Sequence, residues 1–206
     1  MIEQGSPEWQ MLRVGKVTAS RLTDVLATIK EGEAATRRTY RTQLVAERLT
    51  GKKEESYSSE AMRWGVEQEP FARAAYEITT GSFVDQVAFV DHPTIEMFGC
   101  SPDGLVGDNG LIEIKCPNTT THLSYLEADK PPKQYMPQMM AQMAVTGRSW
   151  CDFVSFDPRL PAGLQLFVTR VKRDDKYIAL MESEVQKFLQ EVSTTVAKLK
   201  EKANAS

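Results

Sequence analysis

SPDGLVGDNGLIEIKCP, residues 101–117, sets two carboxylates and a lysine inside a strand-like run of apolar side chains. In a strand, successive side chains point to opposite faces, so Leu111, Glu113 and Lys115 share one face and Ile112 and Ile114 the other. Glu113 and Lys115 then stand about 6.6 Å apart along the strand. Asp103 lies ten positions before Glu113, at a turn that ends the preceding strand. A hairpin through Asp108-Asn109-Gly110 returns the chain beside that turn, so the two carboxylates converge.

Outward from this stretch the pattern alternates between helix and sheet. On the N-terminal side, Leu22, Val25, Leu26 and Ile29 predict an amphipathic helix over Val17 to Ile29 with Thr18 as N-cap. Tyr40, Leu44, Val45 and Leu49 predict a second helix stopped near Gly51. A third is expected from Ser59 to Thr79, where Pro70, lacking an N–H, kinks the helix or starts a new one. Val84, Val87, Phe89, Ile95, Met97 and Phe98 fall in short runs bounded by turn residues, as strands do. Tyr135 to Val145 reads as a helix. Trp150–Phe156 and Leu164–Val171 read as strands. Ile178, Met181, Val185, Phe188, Val192, Val196 and Leu199 form the apolar stripe of a long final helix, expected to pack on the sheet. The fold class is therefore α/β, one domain over residues 1–206: a mainly helical part (1–80), a catalytic sheet with one helix (82–171) and a C-terminal helix (174–202).

Composition narrows the function. At 206 residues and 41% hydrophobic, the chain can bury roughly 70% of its unfolded surface in one core. A formal net charge of −3 gives no uniform basic field, so contact with nucleic acid has to come from a local patch. Cys100, Cys116 and Cys151 have no C-x-x-C spacing and the histidines are two, His92 and His122, which argues against a disulfide framework or a zinc site. With no basic-then-apolar leader and no apolar run of membrane-spanning length, a soluble cytoplasmic protein without membrane contact is expected.

Two acids brought together repel and take up a proton unless a cation lies between them. Oxygen ligands without histidine or thiolate suit Mg²⁺ or Mn²⁺. A lysine beside such an ion can hold an attacking water or stabilise charge developing on a phosphate. That is the hydrolytic reading. The other reading takes Pro-Asp-Gly and Asp-Asn-Gly as ordinary turns and Glu113 with Lys115 as a solvated charged face. Spacing alone leaves both open.

The order Asp103, then Glu113-Ile114-Lys115, resembles the restriction-endonuclease-like nuclease core, a central mixed sheet flanked by helices. More closely it resembles the lambda exonuclease-like (YqaJ-type) phage recombination nucleases. The blocks that carry the resemblance run nearly the full length: Trp9; Leu12-Arg13-Val14-Gly15; Thr18-Ala19-Ser20; Trp64-Gly65 with Glu69 and Arg73; Cys100 to Leu105; Lys115-Cys116-Pro117; Tyr135-Met136 with Gln138; and Phe156-Asp157-Pro158-Arg159.

The resemblance implies a 5′-to-3′ exonuclease that degrades one strand of duplex DNA from 5′-phosphorylated ends, releasing mononucleotides and leaving a 3′ overhang for strand annealing. Asp103, Glu113, the carbonyl of Ile114 and Glu69 would hold two ions, Mg²⁺ or Mn²⁺; Lys115 would orient the nucleophile and Gln138, on one face of its helix with Gln142, would complete the site. Arg13, Ser20 and Ser101 would bind the 5′-phosphate, and Met62 would act as an apolar wedge at the fork. It also implies a homotrimer ring and a single-strand annealing protein as partner. Without the resemblance, Arg13 reads as a surface arginine, Ser20 as a first-turn serine, Glu69 as a solvated helix acid and Met62 as core. The basic cluster of Lys30, Arg37, Arg38 and Arg41, with Arg63 and Arg73, reads either as a phosphate track or as a charged solvated face. The Met136, Met139, Met140 and Met143 stripe reads as core. An endonuclease on the same core and a non-catalytic DNA-end binder are the alternatives.

Overall fold

The hairpin around Asp108-Asn109 is formed and lies within the main sheet. The computed structural model describes residues 2–54 and 59–205. In chain order the helices are α1 (Pro7–Leu12), α2 (Leu22–Val25), α3 (Ala35–Thr50), α4 (Glu60–Thr80), α5 (Thr119–Ala128), α6 (Met136–Thr146) and α7 (Asp175–Asn204). The strands are β1 (Val17–Thr18), β2 (Val84–Asp85), β3 (Val90–Asp91), β4 (Phe98–Cys100), β5 (Gly104–Val106), β6 (Gly110–Lys115), β7 (Trp150–Phe156) and β8 (Leu166–Lys172).

The strands form two sheets, of order β2-β5-β6-β7-β8 and β1-β4-β3. In the larger one, β6 and β7 run parallel and their neighbours antiparallel, giving the mixed α/β architecture expected. The two faces of β6 divide the core as alternation requires. Leu111 joins Cys151, Phe153 and Phe167 on the face covered by α6, while Ile112 and Ile114 join Val154 and Phe156 under Ala72 and Tyr76 of α4. Helices therefore cover both faces of the main sheet.

Several expectations need correction. Val17 to Ile29 is not one helix: Val17–Thr18 is a strand parallel to β4, followed by a 3-10 turn (Ala19–Arg21) and the short α2. Tertiary partners override the local period here, because the Val17 N–H donates to the Met97 carbonyl at 2.9 Å and the Thr18 N–H to the Tyr40 hydroxyl at 3.1 Å. Thr18 precedes the 3-10 turn without a side-chain capping bond. Pro70 neither breaks α4 nor begins a new helix. It lies with Val66 on the exposed side, where water can take the carbonyl left without a donor. The span 82–171 holds two helices rather than one. The additional helix, α5, starts at Asn118, whose Oδ1 accepts the Thr121 N–H at 2.8 Å. Val87, Phe89, Ile95 and Met97 lie outside the strands. The stripe of α7 packs mainly on α3 and α6 rather than on the sheet. Met139, Met140 and Met143 are core residues.

Gly110, the first residue of β6, faces the indole of Trp150, and a Cβ built there would overlap the ring. The ring cannot swing aside freely, since the Arg170 guanidinium stacks on it at 3.5 Å. Gly110→Ala should lower stability by about 1–3 kcal/mol, the range of overpacked sites, read as a reduced midpoint in urea with unchanged slope. An unchanged midpoint would show that the contact is soft.

Candidate active site

β6 delivers its charged residues to the end of the main sheet. Glu113 has no solvent exposure. Its Oε2 accepts a hydrogen bond from Gln142 Nε2 at 2.6 Å, and its Oε1 accepts one from the Lys115 ammonium. Gly104 pairs with Ile112, which brings Asp103 opposite Glu113. Asp103 Oδ2 accepts the Ile114 N–H at 2.7 Å. The Lys115 ammonium also lies 5.1 Å from the centre of the Tyr135 ring. Asp103, Ile114, Lys115 and Tyr135 line a cleft of about 450 Å³ with Met62 and Glu69 of α4, and Glu113 lies buried behind Lys115.

Electrostatics marks the cleft. Burial raises the Asp103 pKa well above the ordinary carboxylate range; the nearby Glu113 charge adds to this, and the Lys115 charge opposes it. Glu69 is likewise raised, by burial first, with its Arg73 partner at 2.6 Å opposing and Glu113 adding. Burial alone would lower the Lys115 pKa, yet Glu113 and Asp103 together reverse that and raise it. The site is thus short of positive charge: Lys115 and Arg73 face three carboxyls, and added positive charge would relieve the shift. Among the described residues no three His, Cys, Asp or Glu side chains group around one point. A cation would therefore rest on Asp103, Glu113 and backbone or solvent oxygens.

Asp103, Lys115, Ile114 and Glu69 thus line one cleft with Glu113 buried behind Lys115, and Met62, 56% exposed, lines it as well. Gln138 is half-buried, and its side chain makes no hydrogen bond among the described residues. It is Gln142, one turn further along α6, that reaches Glu113. The four-residue spacing from Gln138 to Gln142 put both on one helix face, but only packing shows which one reaches the acid. Arg13 and Ser101 are brought together: Arg13 Nη1 donates to Ser101 Oγ at 3.1 Å, and Trp9 Nε1 donates to the same oxygen at 2.9 Å. The Arg13 guanidinium stacks 4.1 Å over Trp9, and burial lowers its pKa. Ser20 is exposed in the 3-10 turn, 3.4 Å from the Thr18 hydroxyl, and bonds to neither Arg13 nor Ser101. The basic cluster divides. Arg37 and Arg41 pair with Glu33 and Glu191, tying α3 to α7, while Lys30 and Arg38 are exposed.

The family model for the YqaJ-like viral recombinase domain matches residues 8–149. Among solved structures, the chain is similar to LHK-Exo, an alkaline exonuclease from Laribacter hongkongensis, at 52% identity and a TM-score of 0.91, covering 97% of this chain and 99% of that one. The same protein in complex with dAMP matches equally well. A phage related exonuclease from Haemophilus somnus 129PT shares the fold at 16% identity, with a TM-score of 0.71 over 89% of this chain and 96% of that one. No curated protein sequence matches significantly. No helix among the described residues is long and apolar enough to cross a membrane.

The raised Asp103 pKa carries a sign. Stability from a carboxyl whose folded pKa is raised is present below its unfolded value, near 3.9, and is lost as pH rises through the folded one. Asp103→Asn, which keeps an acceptor for the Ile114 N–H, should therefore melt above the wild type near neutral pH without divalent cations. The gap should close toward pH 4. Lys115→Met should do the opposite, losing about 3 kcal/mol by leaving the acids without their cation. Thermal melts across pH check both; a melting point for Asp103→Asn at or below wild type at pH 7 would refute the charge imbalance.

Proposed function

The chain belongs to the YqaJ-like viral recombinase family, and from that membership we propose that it is a metal-dependent exonuclease acting 5′-to-3′ on linear duplex DNA with 5′-phosphorylated ends. One observation carries the reading: Asp103 and Lys115 line a cleft with Glu113 buried behind them, and Asp103 sits there beside the Glu113 charge with no cation of its own. That the relative at 52% identity holds dAMP, a nucleoside monophosphate of the kind such digestion releases, supports it.

The donor set fits a hard divalent ion. Asp103, Glu113 and the Ile114 carbonyl offer oxygen, with Glu69 beside them. The one thiol in the cleft, Cys116, is pushed up to about 12 by burial and by the charges of Glu69 and Asp103, so it remains a protonated, poor ligand near neutral pH. Mg²⁺ or Mn²⁺, two ions in the full site, would be held by these groups, and would supply Lewis acidity and a more acidic water. The protein's own part is positional. Gln142 and Lys115 fix both oxygens of Glu113. The Lys115 ammonium, kept protonated, donates to the attacking water and to charge growing on the phosphoryl oxygens. Arg13, flattened on Trp9 and joined to Ser101, offers a rigid fork of donors that favours a dianionic terminal phosphate over a monoanionic diester.

Mononucleotide release is expected from linear duplex carrying 5′-phosphate, with little from 5′-hydroxyl duplex and none from closed circles, and with Mg²⁺ required. Asp103→Ala should reduce it by at least about 10²-fold, the scale of losing one preorganised group of the site. Arg13→Ala should retain digestion but lose about tenfold or more of the preference for phosphate, the worth of a charge-assisted hydrogen bond. Cutting of the circle would instead make the protein an endonuclease. Binding of ends without any Mg²⁺-dependent cleavage would make it an end-binding protein.

A further inference from the structure

The segment Phe156-Asp157-Pro158-Arg159 has no part in the site above, yet it is built with unusual care. Asp157, at the exit of β7, has no solvent exposure. It accepts hydrogen bonds from the Arg159 N–H at 3.0 Å, from Arg159 Nε at 2.7 Å, from Arg159 Nη2 at 3.1 Å and from the Thr119 hydroxyl at 2.6 Å. Burial works against its charge, but these donors prevail and hold the carboxyl at about 2. Asp157 is thus an anionic brace fixing one edge of the Arg159 guanidinium.

The rest of Arg159 faces the cleft walls. Its Nη2 also donates to the Pro117 carbonyl at 3.1 Å, and its guanidinium lies 4.8 Å from the centre of the Trp64 ring. Pro117 lines the cleft, and so do Gly65 and Val66, the residues that follow Trp64 in α4. Arg159 therefore spans the two walls at the rim. Its side chain is 46% exposed, and its Nη1 has no hydrogen-bond acceptor among the described residues. Beneath it, Trp64 Nε1 is buried with no partner. A buried donor without an acceptor is costly and calls for an explanation. The unused Nη1 of a preset cation beside the cleft, with the unsatisfied Trp64 N–H close by, is complementary to an anionic oxygen.

We infer that Arg159, seated on Trp64 and braced by Asp157, is a second phosphate-binding residue, taking an internal phosphodiester of the DNA strand held in the cleft. This rests on the nuclease reading above for the identity of the ligand. The arrangement suits a diester, since Asp157 offsets much of the arginine charge and leaves a directional donor of modest net charge. Because the brace and the stack already fix the side chain, little rotamer freedom is lost when the phosphate docks. The contact is to the backbone and so independent of base sequence.

The experiment measures duplex affinity against salt concentration for the full chain in the Asp103→Ala background, with Arg159→Gln, Trp64→Phe and Thr119→Val added singly, and mononucleotide release by the wild type in parallel. Arg159→Gln should reduce the slope of log affinity against log salt by about one, and affinity at low salt by about tenfold. Trp64→Phe keeps an aromatic ring under the guanidinium but removes the N–H with the five-membered part of the indole; affinity should fall severalfold at a temperature where the variant remains folded. Thr119→Val weakens the brace away from the ligand, so it should lower melting temperature with the slope kept. If Arg159→Gln and Trp64→Phe both retain parental affinity and slope, the cluster is a structural ion pair and the inference falls. Release of nucleotides by the wild type with those unchanged slopes removes this inference alone. No release, with the slopes altered as expected, removes the nuclease reading and leaves the phosphate site standing. No DNA binding at all removes both.

Discussion

Glu113 lies out of contact with solvent, at the point where α6 meets the main sheet, and the site is arranged around satisfying it. A buried acid that loses a partner is expensive, so the chain supplies one donor to each oxygen: Gln142 from the helix above and Lys115 from the same strand. That requirement fixes the register of β6, because a one-residue slip would turn Glu113 into the apolar layer under α4 and put Ile112 or Ile114 in its place. It also fixes α6, since Gln142 must project toward the sheet while Met139, Met140 and Met143 fill the space around it. Asp103 then follows from the pairing of β5 with β6 rather than from any contact with Glu113.

The same charges account for the imbalance in the cleft. Lys115 and Arg73 leave one of the three carboxyls Glu113, Asp103 and Glu69 without a cation, and burial, with the Glu113 charge adding, raises the pKa of Asp103 and Glu69. Elsewhere the protein pairs its buried acids fully. Asp152 receives the Tyr76 hydroxyl and two nitrogens of Arg170, and Glu47 receives the Gly15 N–H, Gln43 and Lys53. Among the described residues, incomplete compensation of buried acids is confined to the cleft, as at a functional site.

Much of this was legible in the sequence because the signals are local. Alternation in residues 111–115 gave the faces of β6, and Gly51 beyond α3, at φ +68, supplies the left-handed turn that a helix end uses. The convergence of Asp103 with Glu113 followed from hairpin length. What escaped depends on partners far along the chain. Val17–Thr18 is a strand because it lies beside Phe98 and Gly99, and nothing near Val17 announces that. The helix α5 was hidden by Thr119, Thr120 and Thr121, whose β-branched side chains disfavour helix, while its start depends on the Asn118 cap. Arg37 and Arg41 read as an open basic face until α7 brings Glu191 against them. Gln142 was visible as a neighbour of Gln138, but its grip on Glu113 required the packing of helix on sheet.

The parallel pairing of β6 with β7 bears on how the molecule comes into being. The β5–β6 hairpin closes over a three-residue turn and can form early, carrying Asp103 and Lys115. Its parallel neighbour begins 35 positions after Lys115, at Trp150, and only after α5 and α6 have been made. Closing so long a loop is slow compared with a hairpin. On a growing chain, the metal-dependent chemistry proposed for this cleft therefore has no enclosed Glu113 until α6 and β7 have emerged from the ribosome. Topology delays competence, so that a helix and a strand far along the chain from Asp103 are what complete the site.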